Sequence, residues 1–148
     1  MSKLTIIAGP FTFTARLEAA AAPRTCAAFL KLLPFREKLL HVRWSGESTW
    51  VPLGDLEVGV PPENATVYPQ PGEILLYPGG VSETEILIPY GPTQFASKAG
   101  LLAGNHFMGG RFAQTANRKR RVSRSILPGG PNDRRAGHPS RVGAAARV

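Results

Sequence analysis

Residues 70–107, QPGEILLYPGGVSETEILIPYGPTQFASKAGLLAGNHF, limit the folding choices of this chain more than any other stretch. They hold two β-prone runs, Glu73–Tyr77 and residues 84–90, separated by Pro78-Gly79-Gly80-Val81-Ser82-Glu83. Glycine alone takes positive φ without steric penalty, so Gly79-Gly80 favours a hairpin between the two runs. Residues 97–103 are expected as a helical turn, and Asn105-His106-Phe107 returns to extended structure.

The first half of the chain supplies complementary elements. Residues 4–8 are β-prone, Gly9-Pro10 reads as a turn, and Phe11, Phe13, Ala15 and Leu17 then alternate with Thr12, Thr14, Arg16 and Glu18. This period of two marks a half-buried strand. Pro23 suits a first helical position, and Cys26, Phe29, Leu30 and Leu33 follow at the spacing of an apolar helix stripe that Pro34 ends. Residues 39–45 alternate again, with Leu40, Val42 and Trp44 expected inward and His41 and Arg43 on the other face. Residues 54–71 contain too many glycines and prolines for long elements and read as a loop-rich connection. Many short strands with one early helix imply a mainly β fold, a small mixed barrel.

A chain of 148 residues is one domain's worth and long enough to bury about two thirds of its unfolded surface. The single cysteine, Cys26, excludes an internal disulfide, and no apolar run has the length of a membrane span. The opening MSKLTIIAGPFTF lacks the long apolar segment of a signal peptide, so a cytoplasmic protein is expected.

The net charge of +8 is unevenly placed. Residues 1–112 carry nine Lys and Arg against nine Asp and Glu, whereas residues 113–148 carry nine basic residues against Asp133 alone. The sequence therefore divides into a neutral domain, 1–112, and a basic tail, 113–148, with Ile126-Leu127 as its one short apolar pair, no aromatic beyond Phe112 and no periodicity. Such a segment cannot bury enough surface to offset its ordering entropy, and it is expected to be disordered. Three readings of it stay open: a basic arm for RNA or DNA, a solvated tail without a partner, or a segment that is not the natural continuation of the domain. Without interleaved aromatics a nucleic-acid role rests on charge alone, so nucleic acid is not the expected partner.

Candidate ligand contacts come from three places. Arg43, Glu47 and Trp50 flank one turn, where a cationic donor, a carboxylate and an aromatic plane together orient a small polar ligand. The plainer reading is an Arg43 to Glu47 surface ion pair beside a packed Trp50. Asn105 and His106 follow Gly104, whose missing side chain lets backbone approach closely, so both can hydrogen-bond a ligand or serve structure alone. Tyr77 and Tyr90 close the two hairpin strands and line either a pocket or a barrel rim. Glu83 and Glu85, two apart, share one strand face, as an acid and base pair or as a solvated face. His41, His106 and His138 fall in unrelated contexts without paired spacing, so neither a metal nor a cofactor is expected.

Several stretches carry a resemblance to a known family: TARLEAAAAPRTCAAFLKLLP, the strand-then-helix opening; HVRWSGESTWVPL; PGEILLYPGG with ETEILIPYG; and FASKAGLLAGNHF. They span about residues 4–107 and resemble the cyclophilin-like superfamily, more narrowly a bacterial family of uncharacterised proteins with a cyclophilin-like fold. In that family the chain after the GNHF equivalent continues into helix and strand that complete the barrel. Here the basic tail follows, so the resemblance implies a small cyclophilin-like β-barrel, incompletely closed at the C-terminus.

Cyclophilins with prolyl isomerase activity carry Phe-His-Arg, Gln-Gly-Gly and Ala-Asn-Ala-Gly segments around a proline pocket, in which the arginine polarises the prolyl amide. This chain offers His41 and Arg43 at a loosened spacing, WSGE in place of Gln-Gly-Gly, and only an echo of the last segment. The function expected is thus a binding module, or an unassigned enzyme, for a small polar or peptide-like ligand, with peptidyl-prolyl isomerase second. Oligomeric state is left open by the sequence.

Overall fold

In the computed structural model, residues 3–110 and 143–147 are described. The first alternating run becomes a hairpin of β1 (Lys3–Ala8) and β2 (Phe11–Leu17), turned by Gly9 at φ 57°. Its register sets Leu4 opposite Ala15, and both are buried, while Phe11 at the turn end is half exposed. Helix α1 (Pro23–Leu30) follows, with Pro23 in its first turn and Thr25, Cys26 and Phe29 buried. Phe29 packs on Phe107 with ring centroids 5.0 Å apart and on Phe35 at 5.7 Å, which holds the helix over the inner face of the sheet.

The remaining strands are β3 (Phe35–Lys38), β4 (Leu40–His41), β5 (Gly46–Gly54), β6 (Ala65–Thr66), β7 (Glu73–Tyr77), β8 (Thr84–Thr93), β9 (Ala96–Ser97), β10 (Gly100–Leu101), β11 (Gly104–Gly110) and β12 (Gly143–Arg147). The main sheet runs β3-β12-β1-β2-β11-β7-β8-β5-β4, with β6 beside β11 and every pairing antiparallel. Its two end strands, β3 and β4, are separated in sequence by Leu39 alone. The sheet therefore curls until its edges approach each other, and the barrel is left incompletely closed at that seam. The fold is mainly β with one helix, as expected. The reading of residues 113–142 lies outside the described residues; beyond them, β12 pairs with β1 and β3.

The hairpin read from Gly79-Gly80 forms as β7 and β8, with both glycines at positive φ, 89° and 124°. These strands carry near-continuous apolar runs because both faces are covered. Ile74, Leu76, Ile86 and Val51 face the helix side, while Leu75, Tyr77 and Leu87 pack with Phe95 and Leu102 on the other.

Two local expectations change. The strand read over residues 39–45 is reduced to β4, with Leu40 42% and Trp44 59% exposed. The chain leaves the ladder because Ser45 is bonded elsewhere: its Oγ donates to Ala96 O (3.0 Å), its Oγ accepts the Ala96 N–H (3.1 Å), and its carbonyl accepts the Gln94 N–H (3.1 Å). The helical turn read over residues 97–103 is the hairpin β9–β10, whose Gly100 sits at φ 118°, outside any right-handed helix.

Candidate functional site

Central position in the sheet is what buries Glu85. On β8 it stands between Tyr77 of β7 and Pro52 of β5, and alternation puts it on the same face as Leu87, whose β5 partner is Trp50. That face is covered by residues 94–102 except at one cleft of about 500 Å³, which Glu85, Leu87 and Trp50 floor. Residues 42–45, which leave the ladder after β4 because of Ser45, form one wall with Arg43 and Trp44; Ala96, Ser97 and Lys98 of the β9–β10 hairpin form the facing wall. Ser82 and Glu83 line the end.

Electrostatically the cleft is layered. Glu85 is only 7% exposed, and among the described residues its carboxyl has no hydrogen-bond partner. Burial, reinforced by the neighbouring charge of Glu83, pushes it up to about 7. Glu83 itself is exposed and accepts the Gly54 N–H at 3.1 Å. Arg43 and Lys98 are exposed at the mouth. At neutral pH the floor thus offers a carboxyl that both donates and accepts a proton, below two fixed cations and beside two indoles.

The structure brings Arg43 and Trp50 together in this cleft. Tyr90 lies just outside it, tied to a cleft residue: His41 Nδ1 bonds Val42 O (2.9 Å), so in the neutral ring Nε2 accepts from the Tyr90 hydroxyl at 2.6 Å. The other candidates lie apart. Glu47 folds over Gly91, forms no ion pair with Arg43, and is exposed at the start of β5. Tyr77 is buried behind the cleft, its ring edge-on to Phe95 at 5.8 Å and its hydroxyl accepting the Val81 N–H at 3.1 Å.

Asn105 sits on the helix side of the sheet. Its Nδ2 donates to Thr25 Oγ1 (3.0 Å) and Pro61 O (2.9 Å), and its Oδ1 accepts the Glu63 N–H (3.1 Å). His106 lines a separate and more open groove of about 900 Å³ along β2, beside Arg16 and Glu18, which pair with each other at 3.3 Å. Its Nε2 is buried there without a partner.

The sequence gives no local sign of Lys98 or Ser45, because their place depends on the β9–β10 hairpin crossing the sheet. Glu85 does leave a trace: it is the one charge in Thr84–Ile88, a run whose strand is buried on both faces. The alternative of a solvated carboxylate face holds for Glu83 and not for Glu85. Among the described residues no group of three or more His, Cys, Asp or Glu is placed to hold a metal, and no helix is long and apolar enough to cross a membrane.

Comparison with curated proteins finds no match. The family model described as "Protein of unknown function (DUF3830)" matches residues 4–135, a span that holds the cleft and every strand up to β11 apart from the first residue of β1, and the chain belongs to that family.

Proposed function

We propose that the cleft over β8 binds a small polar or peptide-like ligand, and that the barrel is a cyclophilin-like scaffold for it. The observation that carries this reading is Glu85, a residue only 7% exposed on the cleft floor whose carboxyl has no hydrogen-bond partner among the described residues. A ligand that hydrogen-bonds this carboxyl does so in a mostly buried setting, where such a bond is stronger than in water. Arg43 and Lys98 add affinity for a carboxylate or carbonyl, and Trp50 adds an apolar plane. The cyclophilin-like part of the reading is supported by the hairpin-then-helix opening and the curled, incompletely closed sheet.

A thermal-shift screen of the full chain against small carboxylates, amides and dipeptides tests it. The expected result is a stabilising hit that Arg43→Ala and Glu85→Gln each weaken. Hits indifferent to both substitutions would place binding elsewhere on the molecule.

Prolyl isomerisation is the second reading, favoured by Arg43 and Trp50 lining the same cleft. It requires that the chain accelerate cis to trans exchange in a proline test peptide and that Arg43→Ala abolish the acceleration. An unaccelerated peptide removes it without touching the binding proposal.

A further inference from the structure

We infer that the ligand of this cleft is a zwitterion, a free amino acid or short peptide, with its ammonium against Glu85 and its carboxylate at Arg43 and Lys98. This rests on the binding role proposed above and goes on to name the ligand class.

Depth and charge balance in the cleft both point to this ligand class. Two acids, Glu83 and Glu85, two bases, Arg43 and Lys98, and the His41 ring, bonded to Val42 O and the Tyr90 hydroxyl, line one cleft, so the formal charges of the acids and of Arg43 and Lys98 cancel once all four are ionised. The acids and bases are not mixed: Glu85 is 93% buried at the floor, whereas Arg43 and Lys98 are exposed at the mouth. Glu83 is already engaged by the Gly54 N–H.

A simple anion held at the mouth would leave Glu85 unpartnered, and a simple cation at the floor would leave Arg43 and Lys98 unpartnered. A ligand with an ammonium at one end and a carboxylate at the other serves both. The ammonium enters the more apolar region, beside Leu87 and Trp50, where one charge-assisted hydrogen bond is strongest. A cleft of about 500 Å³ admits an amino acid or a peptide of a few residues.

The three ligand types differ in proton traffic. With its carboxyl near 7, Glu85 is about half protonated at pH 7. An ammonium seated against it favours the ionised form and expels the proton. An anion seated nearby favours the neutral form and draws a proton in.

Calorimetric titration of the full chain at pH 7, in phosphate and in Tris, reads both affinity and protons exchanged. The probes are a pool of free amino acids with glycyl dipeptides, a pool of their N-acetyl forms and a pool of their amides. Zwitterions are expected to bind at least about tenfold tighter than either blocked pool, releasing about half a proton per site. Glu85→Gln is expected to abolish the release and bring zwitterions down to the blocked level. Arg43→Ala, at the exposed mouth, is expected to weaken free and N-acetyl probes alike. N-acetyl probes that bind as tightly as free ones, or proton uptake on zwitterion binding, would overturn the inference while leaving the cleft as a ligand site. Binding by no probe overturns both readings.

Discussion

Glu85 and Tyr77 face each other across the β7–β8 ladder, yet their polar ends part: the Tyr77 hydroxyl accepts the Val81 N–H, and the Glu85 carboxyl bonds to no described residue. The tyrosine secures the hairpin turn and the glutamate is left to the cleft. A buried carboxyl held without partners makes folding sensitive to pH.

The sign of that sensitivity follows from the raised titration of Glu85. In the unfolded chain it ionises at its ordinary value of 4.5, in the folded chain only near 7, so between these values the folded state holds more of its proton. Stability therefore falls as pH rises from about 5 to 8, by on the order of 2 kcal/mol in total, and the penalty is absent below pH 4.5. Urea midpoints of the chain and of Glu85→Gln, measured across this range, should diverge, the variant being the more stable above pH 7. Parallel curves would mean that Glu85 is solvated or paired.

How much of this was legible depended on whether the cause was local. Gly79-Gly80 announced the β7–β8 hairpin, and the stripe through Cys26 and Phe29 announced α1, because turn conformation and helix spacing act within a few residues. Residues 42–45 looked like strand because their alternation is real, but Ser45 bonds to Ala96, 51 positions away, and no local pattern encodes that. Alternation also misled at Glu83 and Glu85. It puts the two on one face, but whether that face is wet depends on Phe95 and Leu102 folding across it. Arg43 and Trp50 were readable as a pair because one turn joins them, whereas Lys98 reaches the same cleft only through the tertiary fold.

Helix α1 has no side-chain cap of its own at Ala22; instead Glu63 Oε1 accepts from both the N–H and the hydroxyl of Thr25 (2.8 Å for the latter), and Asn105 braces both partners. Asn105→Ala removes three hydrogen bonds and leaves buried groups unpaired, so a loss of about 2–4 kcal/mol is expected in urea unfolding. A loss under about 1 kcal/mol would show that water substitutes for the amide.

Gly46 ends the cleft wall and begins β5 at φ 88°, and a Cβ there would lie 2.6 Å from Pro92 O. Gly46→Ala therefore combines a disfavoured left-handed backbone with a clash against main chain that cannot rotate away. Together these are expected to cost roughly 2–4 kcal/mol. The same change at Gly54, also at positive φ but with open space around the Cβ, bears the backbone term alone and should cost about 1–2 kcal/mol. Equal losses at the two sites would show that the Pro92 contact relaxes freely.

Cys26 reports on the opening of the core. Its thiol is buried under α1 and donates to Phe107 O at 3.3 Å. Burial, then the charge of Glu63, raises it above its ordinary value, which keeps it in the unreactive thiol form. The Phe107 carbonyl also accepts the Glu18 N–H at 2.8 Å, so the S–H bond is a second one at an acceptor already satisfied. Cys26→Ala is therefore expected to cost only about 1 kcal/mol, mostly as lost packing. A thiol reagent at pH 8 should label the native chain no faster than α1 lifts from the sheet, with the rate rising in sub-denaturing urea. Labelling at the rate of a free thiol in the absence of urea would mean that α1 does not stay seated on Phe107, and with it the Glu63 and Asn105 brace would have to be redrawn.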